Sequence, residues 1–448
     1  MFQENKKQSL HHVVIIGGGF GGLYAAKSLA KAPVKVTLID KQNFHVFQPL
    51  LYQVATGGLS PSNISSPLRA VLKHNKNTEV LMGEVTQIEP ERQIVKLKYR
   101  EIRYDSLIIA TGASPQYFGN PEWAKKAPGL KTVEDALEIR RRIFLAFESA
   151  EKETIPEKRQ DWLTFVLVGG GAAGVELAGA LAELTRSTLK EDFRNIDPAT
   201  AKIILLQSPE RVLPTYPAQL SEQALTKLKD LGVIVKTKTK VINLDEQVVT
   251  VRQGEQIEQI RSRTVLWTAG MKGSAIANNL AQSTGASLDR MGRVIVSPEF
   301  TVGKYSNIFV IGDLAHYCIN QNHLLPGVAP AAMQAGNYVA KLIQSQLQGK
   351  TIAPFRYWDW GNLAVIGKHA AVIDFGFVKL SGILAWLIWM FIHVFYLLEF
   401  DNKIIVAIQW IWSYFTSNQG DRLIVSSGIS SKIELESERE PQALVQVS

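Results

Sequence analysis

Val13-Val14-Ile15-Ile16-Gly17-Gly18-Gly19-Phe20-Gly21-Gly22 sets four apolar residues against a glycine-rich turn, and Leu23-Tyr24-Ala25-Ala26-Lys27-Ser28-Leu29 then reads as a helix. The glycines stand at the spacing G-x-G-x-x-G. In that pattern Gly17 permits a tight turn, Gly19 lets the backbone approach a pyrophosphate, and Gly22 lets strand and helix pack closely. The helix N-terminus offers the anion free N–H groups and a partial positive charge. Val34-Lys35-Val36-Thr37-Leu38-Ile39-Asp40 reads as the next strand. Strand, helix and strand at this spacing predict parallel pairing through a right-handed crossover. Asp40, 23 residues after Gly17, is placed to accept from a ribose hydroxyl pair.

The pattern occurs twice. Phe165-Val166-Leu167-Val168 runs into Gly169-Gly170-Gly171-Ala172-Ala173-Gly174, 152 residues after the first copy, and a strand follows at Lys202 to Leu206. That offset is too long for a solenoid repeat and suits two copies of one nucleotide-binding fold. Gly169, Gly171 and Gly174 take the roles of Gly17, Gly19 and Gly22. At the ribose position the second copy has Gln207, a neutral amide that would not repel a 2′-phosphate as a carboxylate does. Arg211 lies four residues further on. It reads either as a phosphate contact or as a surface ion pair, so the second nucleotide is expected to be a nicotinamide one, with NADH and NADPH both open.

Composition bounds the rest. At ~150 residues per domain, 448 residues make about three structural units. A hydrophobic content of 46% with 20% charged residues excludes disordered, collagenous and coiled-coil chains. The net charge of +8 admits an anionic membrane surface but carries no nucleic-acid motif, and no nucleic-acid partner is expected. The single cysteine, Cys318, excludes an intramolecular disulfide or a Cys-pair redox centre. His316 and His323 flank it without metal-ligand spacing, so no metal site is expected. The N-terminus has no apolar stretch of a secretory signal.

Two dinucleotide folds without a metal site point to a flavoprotein, FAD on the first fold and NAD(P)H on the second. Further segments fit this. Thr111 and Gly112 follow the strand Ser106 to Ile109, and the strand Ile308 to Ile311 ends on Gly312-Asp313, where a carboxylate could accept from the ribityl chain. A helix N-cap is the other reading of Asp313. The expected class is α/β, with two Rossmann-like domains and a C-terminal helical, membrane-associating region. Residues 1–120 and 300–375 are assigned to FAD, 121–299 to NAD(P)H and 376–426 to membrane anchoring, with a disordered tail over 427–448. Residues 133–162 are expected to form a charged helical linker, with Arg140-Arg141-Arg142 on a solvated face.

The chain resembles the type II NADH dehydrogenases, single-subunit, non-pumping NAD(P)H:quinone oxidoreductases, from about Val13 to Ile424. The segments that carry the likeness are Phe47 to Ala55, Gly171 to Gly179, Gly327 to Gly336 and Trp410 to Phe415. The resemblance implies transfer of hydride from NAD(P)H to FAD and of two electrons to a membrane quinone. It matches Glu176 to a glutamate beside the nicotinamide, Lys379 to a lysine near flavin and quinone, and Gln334 to the second glutamine of an A-Q-x-A-x-Q segment. Proline, Pro330, replaces the first glutamine. Simpler roles stand beside these: a dipole partner in the first helical turn for Glu176, and an interfacial cation for Lys379.

Leu380 to Leu398 is 19 residues long without Asp, Glu, Lys or Arg, just enough to span a bilayer. Ile404 to Phe415 is too short for that. Asn402, Gln409, Ser413 and Thr416 would share one face of its helix, an interfacial pattern. Four of the nine tryptophans lie between Trp386 and Trp412. Such clustering suits a membrane boundary. The resemblance favours a peripheral, monotopic anchor on the cytoplasmic face, in contact with membrane lipid, and leaves a homodimer open. Two rival readings remain: a soluble NAD(P)H-dependent reductase of an electron-carrier protein, and an FAD- and NAD(P)H-binding redox sensor.

Overall fold

A computed structural model describes residues 10–320, 323–416 and 420–424. The tail expected over 427–448 lies outside the described residues.

The first unit begins with β1 (His11–Ile16), α1 (Phe20–Ser28) and β2 (Val34–Asp40). A short helix, α2 (Leu51–Ala55), precedes β3 (Thr78–Met82) and β4 (Ser106–Ile109). The long helix α3 (Val133–Lys152) leads to the second unit: β5 (Thr164–Val168), α4 (Ala172–Glu183), β6 (Lys202–Leu206), β7 (Ile234–Lys236) and β8 (Thr264–Trp267). The chain then returns through β9 (Thr301–Val302), β10 (Tyr305–Val310) and α5 (Ala329–Leu347).

Two sheets result. The larger has the order β9-β10-β4-β1-β2-β3, parallel except for β9, and takes its strands from both sides of the second unit. The smaller has the order β7-β6-β5-β8, all parallel. In each, a buried, largely apolar central strand (β1 or β5) runs directly into a glycine turn. Neighbouring strands leave its two sides, so a crevice opens at the carboxyl ends, where doubly wound sheets bind ligands. α1 packs on α5, which closes one face of the larger sheet.

α3 is no solvated linker. Thr132 caps it, accepting from the Asp135 N–H at 3.1 Å while Asp135 accepts from the Thr132 N–H at 2.9 Å. Val133, Ala136, Arg140, Ile143 and Phe147 recur at helical spacing and are buried. Arg140 is thus on the core side, 5% exposed, and ion-pairs with Asp421. Arg141 and Arg142 both pair with Glu138, at 2.8 and 2.6 Å. The basic triplet splits because consecutive helix residues point about 100° apart, which places its first member inward.

The C-terminal part opens with an antiparallel sheet of β11 (Asn362–Gly367), β12 (Ala370–Asp374) and β13 (Lys379–Ser381), and β11 packs on α4. The expected boundary at 376 therefore falls inside this sheet. Two helices follow, α6 (Gly382–Tyr396) and α7 (Phe400–Thr416). The 19-residue apolar segment is shortened because Leu380 belongs to β13; α6 has 15 residues. Among the described residues no helix is long and apolar enough to cross a membrane.

α6 buries Ala385, Trp389 and His393 and exposes Ile383, Leu384, Leu387, Phe391 and Phe395. α7 buries Val406, exposes Ile404, Ile405, Ile408, Ile411 and Trp412, and ties Trp410 inward by a 2.8 Å hydrogen bond to Gln53. The expected polar face divides: Asn402 reaches the Ser65 carbonyl, while Gln409 and Thr416 are exposed. The outward stripe is apolar instead. Beyond α7, Asp421 donates its N–H to the Gly57 carbonyl at 3.2 Å, and Arg422 pairs with Asp192, which returns the chain to the body of the protein.

Candidate active site

Both glycine turns are built for close approach. Gly17 has φ +104° and Gly169 has φ +111°, a region that favours glycine. A Cβ on Gly22 would lie 1.8 Å from the Gly17 carbonyl oxygen, and one on Gly174 1.8 Å from that of Gly169. A Cβ on Gly19 or Gly171, by contrast, would meet nothing within 4 Å. These two residues are the N-caps of α1 and α4, and no side chain caps either helix. Space and unsatisfied N–H groups coincide at both sites, as a bound diphosphate requires.

A cavity of about 1500 Å³ joins the two turns. Of the residues singled out in the sequence, Gly17, Gly19, Asp40, Thr111, Gly112, Glu176, Gly312 and Asp313 line it. At the second turn the lining is Ala172 and Ala173, the first residues of α4, with Thr268 and Gly270 opposite. Gly22, Gly169 and Gly174 are packed into the turns themselves, and Gly171 is exposed just before Ala172. The cavity continues to Trp358, Phe377 and Tyr396 at the C-terminal part. Trp358 is 71% and Phe377 89% exposed, so one mouth opens on an apolar surface.

Asp40 accepts from the Gly18 N–H at 2.5 Å with one carboxylate oxygen and from the Gln42 N–H at 2.7 Å with the other. Burial raises its pKa, and these two donors oppose the rise. Gln207 makes the matching bond, accepting from the Gly170 N–H at 2.7 Å, and donates to the Arg211 carbonyl at 3.2 Å. It is buried behind the cavity wall and holds the turn. The Arg211 guanidinium donates to the Pro214 carbonyl.

Asp313 is paired with Lys131, Nζ to Oδ2 at 2.9 Å. It sits within a 3₁₀ turn, Gly312–Leu314, whose N-cap is Ile311, so its carboxylate caps no helix. Thr111 shares a 2.6 Å hydrogen bond with Ser274, which ties the loop after β4 to the far wall.

Glu176 faces β11 beyond the first turn of α4, so it is no first-turn dipole partner. It is 9% exposed, and its only described donor is the Val365 N–H at 3.4 Å. Burial pushes its pKa up to about 8, with that N–H a smaller opposing influence. A carboxyl so placed keeps its proton at neutral pH. Tyr52 and Tyr216 also line the cavity, and burial first, then Glu176, raises both phenol pKa values.

Gln334 and Lys379 stand apart from this lining. The Gln334 amide donates to the Trp358 carbonyl at 2.8 Å and accepts from the Trp358 N–H at 2.9 Å, so it fixes the cavity rim from outside. Lys379 is exposed on β13 opposite Asp374.

Several residues at the site carried no signal in the sequence. His45 is buried with its Nδ1 2.9 Å from the Gly18 carbonyl, and burial lowers its pKa to about 4. Nδ1 therefore donates, and the neutral ring steadies the first glycine turn. Lys131, the partner of Asp313, is 182 residues away in sequence. Trp410 Nε1 donates to Gln53, whose amide donates in turn to the Tyr52 hydroxyl at 2.8 Å, linking α7 to the cavity wall. Tyr52 and Gln53 at least fall in the Phe47 to Ala55 segment that carries the family likeness, and Trp410 opens the Trp410 to Phe415 segment.

Comparison with known proteins agrees with this architecture. Residues 11–336 match the pyridine nucleotide-disulphide oxidoreductase family, and residues 360–419 match the NDH2 C-terminal domain. The chain is 42% identical over 434 residues to the type II NADH:quinone oxidoreductase Ndh of Mycobacterium tuberculosis, covering 95% of this chain and 93% of the relative. It is 41% identical to NdhA of the same organism, covering 94% and 91%. In fold it is similar to NDH2 from Plasmodium falciparum in complex with NADH, with a TM-score of 0.82 at 19% identity over 93% of this chain and 100% of that one. The sulfide:quinone oxidoreductase of Aquifex aeolicus has a TM-score of 0.69 at 18% identity, over 95% of each chain. A lone, exposed Cys318 gives this chain no thiol pair of the kind that the disulphide branch is named for. With its nucleotide folds and its C-terminal domain both matched, the chain belongs to the type II NADH:quinone oxidoreductases.

Proposed function

We propose that this protein oxidises NADH and reduces a membrane quinone without pumping protons, using FAD. The observation that carries this reading is the continuity of one cavity from the first glycine turn, past the N-terminus of α4, to an apolar mouth at the C-terminal helices. FAD held at Gly19, Asp40 and Asp313 would supply the chemistry that accepts hydride from NADH and delivers two electrons to quinone.

The chain's own residues bind, orient and move protons. Gly19 and the α1 N-terminus receive one diphosphate, with Asp40 toward the ribose and Asp313, held by Lys131, toward the ribityl hydroxyls. Thr111 and Gly112 pass beside them. Gly171, Ala172 and Ala173 receive the diphosphate of NADH, and Gln207 keeps that turn in shape. Glu176, protonated at neutral pH, supplies a proton in the cavity. Gln334 positions Trp358 at the rim. Lys379 has no part in this assignment and serves as a surface cation.

Residues 10–120 and 300–347 form the FAD-binding domain in this reading, residues 121–299 the NADH-binding domain, and 362–416 the membrane-associating one. The exposed apolar stripes of α6 and α7, with Phe377 and Trp358 beside them, form the surface that rests on lipid. We place it on the cytoplasmic face, where NADH is available.

Steady-state oxidation of NADH and NADPH by the purified, FAD-loaded protein with a short-chain quinone tests the proposal. NADH turnover that requires the quinone is expected. Tight nucleotide binding without turnover would favour the redox sensor. Turnover only with a protein electron carrier would favour the soluble reductase.

A further inference from the structure

α6 brings to the cavity two titratable side chains that the assignment above leaves without a role, His393 and Tyr396, and of these His393 has its ring proton placed by a hydrogen bond. His393 lines the cavity beside Ile392 and Tyr396. Its Nδ1 lies 2.7 Å from the carbonyl of Trp389, one turn earlier on the same helix. A carbonyl oxygen only accepts, so Nδ1 carries the ring proton and Nε2, on the opposite edge, presents a lone pair. Burial lowers the pKa to about 4, with the Trp389 carbonyl opposing it, so the ring is neutral at physiological pH.

The ring is also held in place. It stacks on Trp389 with centroids 4.1 Å apart and planes at 27°, and meets Phe47 edge to face at 6.0 Å and 82°. Nε2 makes no hydrogen bond to the described residues. It is not among the unpartnered polar atoms that are sealed from all contact with solvent, which include Trp389 Nε1. With Nδ1 tied back to the helix, Nε2 is the ring acceptor that a molecule in the cavity can reach.

The two redox forms of the substrate differ in what they ask of such an atom. A quinone carbonyl accepts hydrogen bonds and cannot pair with a lone pair. A hydroquinone hydroxyl donates. We propose that His393 is a product-selective contact, which hydrogen-bonds the hydroxyl of the reduced substrate through Nε2 and gives the oxidised substrate no hydrogen bond.

This inference rests on the quinone reading given above. It also separates two tasks in one cavity. His393 holds no proton at Nε2 to give, whereas Glu176 retains one. A bond made only with hydroquinone lowers the energy of bound product relative to bound substrate, and so favours reduction within the site while slowing release.

Equilibrium binding of a short-chain benzoquinone and of its hydroquinone to the FAD-loaded protein, under anaerobic conditions, tests this. The variant H393F keeps a ring on Trp389 and removes the acceptor; H393Q restores one. H393F is expected to bind hydroquinone about tenfold more weakly while quinone affinity stays within about twofold. H393Q is expected to recover most of the hydroquinone affinity. H393L gives the same reading should H393F lose its flavin spectrum. Equal losses for both redox forms, or no change in either, would overturn the inference. Wild-type protein that binds neither form would overturn the quinone reading itself, a different result.

Discussion

The two glycine turns share a backbone and differ in one functional group. Each central strand ends in a glycine at φ above +100°, each helix is capped by a glycine that opens on free space, and each turn is tied to a side-chain oxygen at the end of the neighbouring strand. That oxygen belongs to Asp40 in the first turn and Gln207 in the second. Holding the turn needs only an acceptor, so the charge is free to vary. Asp40 lines the cavity, whereas Gln207 donates to the Arg211 carbonyl and stays buried. The lesson is that a side-chain oxygen at this position shapes the turn whether or not it carries charge. Two positions beyond the last glycine the copies diverge again: α1 carries Tyr24 where α4 carries Glu176.

The largest test of this likeness is to insert a methyl group at equivalent places. G22A and G174A each force a Cβ to 1.8 Å from a carbonyl, and each should cost about 4 kcal/mol or more. G22A is expected to lose bound flavin. G174A is expected to keep the yellow spectrum and lose its reduction by NADH. Identical losses of flavin in both would deny that the turns serve different nucleotides.

Glu176 comes next, because it has no counterpart on α1. E176Q should lower quinone-reductase kcat about 100-fold at neutral pH if its proton is used in the reaction. The sign of the pH effect is set by the raised pKa: the wild-type carboxyl is protonated below about 8 and ionises above it. Turnover should therefore fall as pH rises through about 8 in the wild type. In E176Q that descent should vanish, as a pH-rate profile would reveal.

A smaller effect is expected from Q207E, which makes the second turn resemble the first. It removes the donor to the Arg211 carbonyl and should cost about 1–3 kcal/mol in a denaturant melt. Any change in nucleotide choice should favour NADH, by about tenfold at most in the NADH/NADPH ratio of kcat/KM. Smallest of all is R211A. Its guanidinium bonds only the Pro214 carbonyl among the described residues, so KM for NADPH should move by less than about twofold.

The sequence was legible where backbone chemistry left little choice. The strands before Gly17 and Gly169, the helices after them and the location of Asp40 follow from apolar runs and glycine spacing. Glu176 and Gln334 came only through family likeness, since neither burial nor partner is written in local sequence. What misled was one-dimensional reading of three-dimensional faces. Arg140-Arg141-Arg142 looks like a single charged surface, but its first member points inward to Asp421. Leu380 looks like part of an apolar helix, but it pairs with Ile373 in a sheet. Lys131 and Asp313 are too distant along the chain for any motif to join them.

Asp421, beyond α7, reaches both buried Arg140 and the carbonyl of Gly57. The pair of amphipathic helices is thus moored at its two ends, by a sheet before it and by this anchorage after it. If the helices rest on lipid as proposed, a lateral pull from the bilayer would be shared between those points rather than levered about a single hinge. Such contact could then be strong without prising open the wall to which Trp410, Gln53 and Tyr52 belong.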